Sequence, residues 1–192
     1  MDEARGNRQL ILSLSAELFS LRGYDAVSVT EIVEAAGVTK PTLYHYFGSK
    51  RGLLDSLIAE RGAPFLLAAG AGTGLESDVP LGLERIAFAF IQASRADPVF
   101  ARLRLGMRFG PPSSEASVAA EDFNSTIRRR IESWFMEAEK HHGNMRGRSA
   151  MYAVSFLATL DAYVAFELRG DPALDDPNVR AILRQFMYGI FS

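Results

Sequence analysis

The chain has 192 residues, 48% hydrophobic and 23% charged, a balance that suits a globular protein with enough length for a sizeable core. It contains no cysteine, which excludes disulfides and thiolate metal sites and fits a reducing compartment. A net charge of −2 offers no global attraction for nucleic acid, so binding of that kind would have to rest on a local patch.

Helical patterns dominate and no strand pattern stands out, which predicts an all-α chain of about nine helices. The first residues, MDEARGNRQL, are polar and lack an apolar signal core, so a cytoplasmic protein is expected. Leu10, Leu14, Leu18 and Leu21 recur at spacings of three and four and predict an amphipathic helix over 7–22, stopped at Gly23. Ser28 and Glu31 have the spacing of a capping box, which starts a second helix over 29–36, and Gly37 ends it. Thr39 caps a short third helix of about 40–46, with Pro41 in its first turn. Ser49 caps a fourth, running through Leu53, Leu54, Leu57 and Ile58 to about 61. Gly52 lies inside that helix, where glycine costs roughly 0.5–1 kcal/mol relative to alanine, so a looser start is expected.

Residues 62–80, GAPFLLAAGAGTGLESDVP, read as a linker. The GAGTG stretch lacks the Gly-Lys-Ser/Thr ending and the preceding strand of a phosphate loop, so it is taken as a connector. Further helices are predicted over 79–95, 97–108, 116–141, 147–169 and 177–191, with Asp97-Pro98 and Asp176-Pro177 as starts and turn chemistry at 110–117. Residues 150–168 are almost apolar enough to span a bilayer. Asp161 and Glu167 would be costly in lipid, so the segment is read as a buried helix and no membrane partner is expected.

The turn GVTK joins two short helices into a helix-turn-helix candidate. In the second of them Leu43 and Phe47, at i and i+4, share one apolar face that should pack inward. Lys40, Thr42, Tyr44 and His45 then fall on other faces, and Tyr46 stays open between packing and contact. The window 37–51 holds Lys40, Lys50 and Arg51 and no acidic residue. Hydroxyls and helix-start N–H groups suit phosphate oxygens, and Lys50 opens the fourth helix, where free N–H groups add to its charge. Lys40, Thr42 and His45 suit base edges in a major groove. The same spacing also describes the ordinary surface of a small helical domain, and spacing alone leaves both readings open.

The segment SVTEIVEAAGVTKPTLYHYFGSKRGLL, residues 28–54, resembles the helix-turn-helix of TetR-type transcriptional repressors. The matching elements are Ile32 and Ala36 in the capped helix, Gly37-Val38, the trio Thr42-Leu43-Tyr44, Phe47, Lys50 and Leu53-Leu54. The resemblance extends over about 7–61; beyond 62 it covers helix number and length alone. It implies a helix-turn-helix DNA-binding domain over 1–48 and a helical effector-binding and dimerisation domain over 49–192. It also implies that Ser28 and Thr30 lie near phosphates, and that Thr39, Lys40, Pro41, Thr42, Tyr44 and His45 occupy recognition-helix contact positions. Lys50 matches the family's phosphate-contacting lysine.

In the second part of the chain, Ala150, Ala153, Ala158, Ala162 and Ala165 would allow close helix approach, and Ile182, Phe186, Met187 and Ile190 follow on the last helix. Two such helices from each of two chains would make a four-helix interface, and the resemblance favours this homodimer over packing within one chain. A small-molecule effector, largely apolar, is expected among Phe88, Arg104, Met107, Arg108, Phe123, Trp134, Tyr152, Phe156 and Asp161, though each of these residues suits ordinary core equally well. Adjacent His141 and His142 do not make a metal site, and no nucleophile with its base is readable, so neither a cofactor, a metal nor an enzyme is expected. The resulting reading is a ligand-responsive repressor that binds an inverted-repeat operator on double-stranded DNA as a homodimer. The alternative is a ligand-binding or scaffolding helical protein whose DNA binding is weak or vestigial.

Overall fold

The computed structural model describes residues 2–170 and 176–188. Among them are ten α-helices and one 3₁₀ turn, Gly143–Met145, and no strand. The helices are α1 Asp2–Arg22, α2 Val29–Ala36, α3 Lys40–Phe47, α4 Lys50–Arg61, α5 Ala63–Ala68, α6 Val79–Ala96, α7 Pro98–Phe109, α8 Glu115–Ala138, α9 Ser149–Glu167 and α10 Asp176–Tyr188. The chain divides into two compact units, one of residues 1–63 and 97–123, the other of 64–96 and 124–192. The first unit thus adds α4, α7 and the start of α8 to the predicted DNA-binding segment.

In the first unit, α1 packs against α2, α3, α4 and α7. Its buried face is not the leucine stripe: Leu10 and Leu21 are 44% and 72% exposed, while Ile11, Leu12, Ser15, Ala16 and Phe19 are buried. Ile11, Ser15 and Phe19 form one i, i+4 row and Leu12 with Ala16 the adjoining row, so the small residues sit where helices come close and the leucines flank them. Gly23 takes φ 82° and closes α1 by donating its N–H to the Phe19 carbonyl at 2.9 Å.

The capping box of α2 is complete. The Glu31 N–H donates to Ser28 Oγ at 3.2 Å, and the Ser28 N–H donates to the Glu31 carboxylate at 2.8 Å. Gly37 takes φ 63° and ends α2, and Thr39 Oγ1 caps α3. Gly52 does not loosen α4, because a Cβ there would lie 2.0 Å from the Phe47 carbonyl oxygen. Glycine is what permits the tight passage from α3 into α4.

In the second unit, the predicted linker is partly structured. Residues 63–68 form α5, with Phe65 buried edge-on against Phe90, and turns follow to 78. The Trp134 indole N–H donates to the Gly72 carbonyl at 2.7 Å, and a Cβ on Gly82 would come within 2.2 Å of the indole ring. Gly72 therefore lets this connection, and Gly82 lets α6, lie close against Trp134 of α8. Among the described residues α9 is the one helix long and apolar enough to cross a membrane by length and composition. Its Asp161 is fully buried together with Ala153, Phe156, Leu157 and Val164, as in a core helix. Arg180 pairs with Glu84 at 2.9 Å between α10 and α6, and Val179 and Leu183 are buried. Ile190 lies outside the described residues.

Candidate nucleic-acid interface

Helix α3 is built from both its faces. Leu43 is fully buried and Phe47 nearly so, with the Arg8 guanidinium 5.3 Å from the centre of the Phe47 ring. On the opposite side Lys40, Pro41, Tyr44 and His45 are exposed and Thr42 is half-buried. Ser28, Thr30 and Thr39 lie at the starts of α2 and α3, and all three are exposed. Thr39 Oγ1 and Thr42 Oγ1 lie 2.9 Å apart, so each hydroxyl is oriented by the other. Tyr46 is half-buried and meets the rings of His45 and Phe47 edge-on at 5.4 and 6.1 Å. A short helix with one locked face and one polar face is a geometry that can enter a major groove.

The three cations of the window differ. Lys40 has no ion pair or hydrogen bond from its side chain among the described residues and is exposed. Arg51 pairs with Asp55 at 2.9 Å. Lys50 turns inward: its ammonium donates to the Tyr24 carbonyl at 2.6 Å and stands 4.0 Å from the centre of the Tyr24 ring. Desolvation lowers its pKa from the ordinary lysine value, against the charges of Asp25, Glu115 and Glu31. Burial, and next the Glu115 carboxylate, hold the Tyr24 phenol above its usual range. Near α2, the Ser28 N–H first and Arg22 second hold the Glu31 carboxyl down at about 2, and Arg22 reaches it at 2.6 Å.

Residues 11–57, which span these helices, match the family described as bacterial regulatory proteins, tetR family. The likeness to that family is confined to this N-terminal segment. The HTH-type transcriptional repressor KstR2 of Rhodococcus jostii (strain RHA1) is 40% identical over 53 residues, 28% of this chain. The matched stretch spans only 26% of that repressor's length. The fold likeness reaches further. A TetR family transcriptional regulator, PfmR from Thermus thermophilus, superposes with a TM-score of 0.73 at 22% identity, covering 95% of this chain and 99% of its own. The regulator FadR from Bacillus subtilis, solved in complex with stearoyl-CoA, gives 0.73 at 18% identity over 95% and 98%. At those identities the two solved structures establish a TetR-like fold for nearly the whole chain.

Every contact residue expected on the TetR-type segment lies on α2, α3 or α4 or at one of their caps. Two residues shape the site in ways the sequence did not indicate. Tyr24 follows the glycine that ends α1, and Gly52 lies in the first turn of α4; only the distances across the turns reveal their roles.

The expected effector residues divide between the units. Arg104, Met107, Arg108 and Phe123 belong to the first; Phe88, Trp134, Tyr152, Phe156 and Asp161 belong to the second. Several are packed as core: Phe123 lies edge-on to Phe100 at 6.1 Å, and Phe156 to Phe135 at 6.3 Å. Within the second unit a cavity of about 340 Å³ is lined by Leu83, Phe135, His142, Met145, Tyr152 and Phe186, so Tyr152 alone of the expected set reaches it. No group of three or more His, Asp or Glu suited to a metal occurs among the described residues.

Proposed function

We propose that this chain is a ligand-responsive transcriptional regulator, a repressor, that binds an inverted-repeat operator as a cytoplasmic homodimer. The observation that carries the reading is the outward polar face of α3, Lys40 to His45, held on a core that buries Leu43 and Phe47 within a TetR-family segment. Thr42 and His45 address base edges, with Lys40; Tyr44, Ser28, Thr30, Thr39 and Lys50 address phosphates, and Pro41 fixes the first turn. In this reading residues 1–48 contact DNA and 49–192 hold effector and partner.

A homodimer is supported by the outer surface of α9 and α10. Met151, Val154 and Phe166 are about half exposed, and a groove of about 450 Å³ runs between Ala162, Phe166, Ile182 and Phe186. A homodimer also matches the two half-sites of an inverted repeat, whose successive major grooves lie about 34–36 Å apart. A largely apolar effector is supported by the cavity around Phe135 and Tyr152, and stearoyl-CoA bound to the similarly folded FadR is a precedent for an apolar chain in this architecture. The effector acts by binding one of two states more tightly.

Selection from a random-sequence duplex pool tests the reading. An enriched inverted repeat, bound more tightly than its scrambled version at modest salt, is the expected result. Failure of any duplex to outcompete random sequence would sink it and leave the scaffolding alternative.

A further inference from the structure

We infer that the cavity around Phe135 and Tyr152 takes a compact, uncharged, ring-bearing ligand with a hydroxyl or carbonyl group. This deepens the effector reading above and rests on it. Three helices of the second unit each bring an aromatic ring to the lining: Phe135 from α8, Tyr152 from α9 and Phe186 from α10. The centres of the Phe135 and Tyr152 rings lie 5.6 Å apart. The fully buried Phe156 joins Phe135 and Phe186, at 6.3 and 5.4 Å. Core packing thus fixes this aromatic surface before a ligand arrives, and a planar ring adds to the set at ordinary ring–ring spacing. Val79, Pro80 and Leu83 at the start of α6 and Met145 of the 3₁₀ turn supply the aliphatic part of the lining.

No Asp, Glu, Lys or Arg lines the cavity. A carboxylate or phosphate drawn into it would lose water without gaining a cation, a costly exchange. The polar groups on offer are the Tyr152 and Tyr188 phenols, the Asn144 amide and the His142 ring. His142 Nε2 donates to the Ser77 carbonyl at 3.2 Å, since a carbonyl only accepts, so Nδ1 is the ring nitrogen left for a ligand. Such groups pair with a neutral hydroxyl or carbonyl. At about 340 Å³ the cavity lies near the lower end of the roughly 300–1,000 Å³ of small-molecule sites, which suits a compact molecule.

Calorimetric titration of the full-length wild-type protein with 1-naphthol, 1-naphthoate and 1-octanol tests this. The three probes are a neutral ring, an anionic ring and a neutral chain. The expected result is one 1-naphthol per chain, bound about tenfold more tightly than either of the others. Equal or tighter binding of 1-naphthoate or 1-octanol, or no binding of 1-naphthol up to its solubility limit, would overturn the inference.

Two variants locate the site. Met145 is half-buried on a short turn, and Met145→Arg places a cation in the lining. It should reverse the preference, so that 1-naphthoate binds more tightly than 1-naphthol. Tyr152→Phe keeps the ring, removes the phenol and should weaken 1-naphthol several-fold. Binding of 1-naphthol unchanged in both variants overturns the assignment to this cavity. The effector role is judged separately, by adding 1-naphthol to the protein on its selected duplex. Selective 1-naphthol binding that leaves duplex affinity unchanged supports the ligand class and sinks the effector role of the cavity.

Discussion

Glu31 is the clearest case of a single residue doing two jobs. It completes the α2 cap through the Ser28 N–H and pairs with Arg22, and both contacts require its charge. Its carboxyl is therefore held at about 2, against 4.5 in an unstructured chain. The stabilisation is full above pH 4.5 and fades as pH falls toward 2, because the unfolded chain takes up the proton first. Glu31→Gln should remove that part of the acid sensitivity, read as a flatter thermal midpoint against pH over this interval. On the reading face, Thr42→Ala should change which base pairs are selected while leaving the salt slope as it is. Lys50→Ala should instead weaken all duplexes similarly and reduce the slope magnitude by about 0.9, measured by fluorescence anisotropy across a salt series.

At the level of an element, the α3–α4 turn shows why a propensity scale can give the wrong sign. By propensity, Gly52→Ala would favour the helix by roughly 0.5–1 kcal/mol. The new Cβ would lie 2.0 Å from the Phe47 carbonyl, an approach that only a backbone shift relieves. Overpacking of that kind costs about 1–3 kcal/mol, so it wins over the propensity gain. Gly52→Ala should destabilise the protein in urea unfolding and weaken duplex binding. The α1 leucines make a related point: a regular i, i+3, i+4 spacing identified a helix, but the packed face was the one where Ser15 and Ala16 let neighbours approach.

For the whole molecule, the proposed homodimer depends on the outer surface of α9. Phe166, 47% exposed and lining the groove with Ile182 and Phe186, is its most accessible aromatic anchor. Phe166→Glu should convert a dimer to monomer in sedimentation at micromolar concentration and weaken binding to an inverted repeat, since each half-site would be held alone. A wild-type protein that sediments as a monomer would remove the basis for this assignment.

The sequence by itself determined helices α2, α3 and α4 and which face of α3 turns inward. A capping box, hydroxyl caps, Pro at a first turn, terminal glycines and the Leu43–Phe47 pair act within a few residues, so local chemistry is enough to read them. It also carried the family signature, because that lies in a short contiguous stretch. Tertiary structure alone decided where the Lys50 ammonium goes, why position 52 is glycine, and which row of α1 is buried. It also decided that residues 63–68 form a helix and that the expected effector residues fall in two units. Each of those depends on atoms brought together across a turn or from distant parts of the chain, where packing and desolvation outweigh what neighbours in sequence prefer.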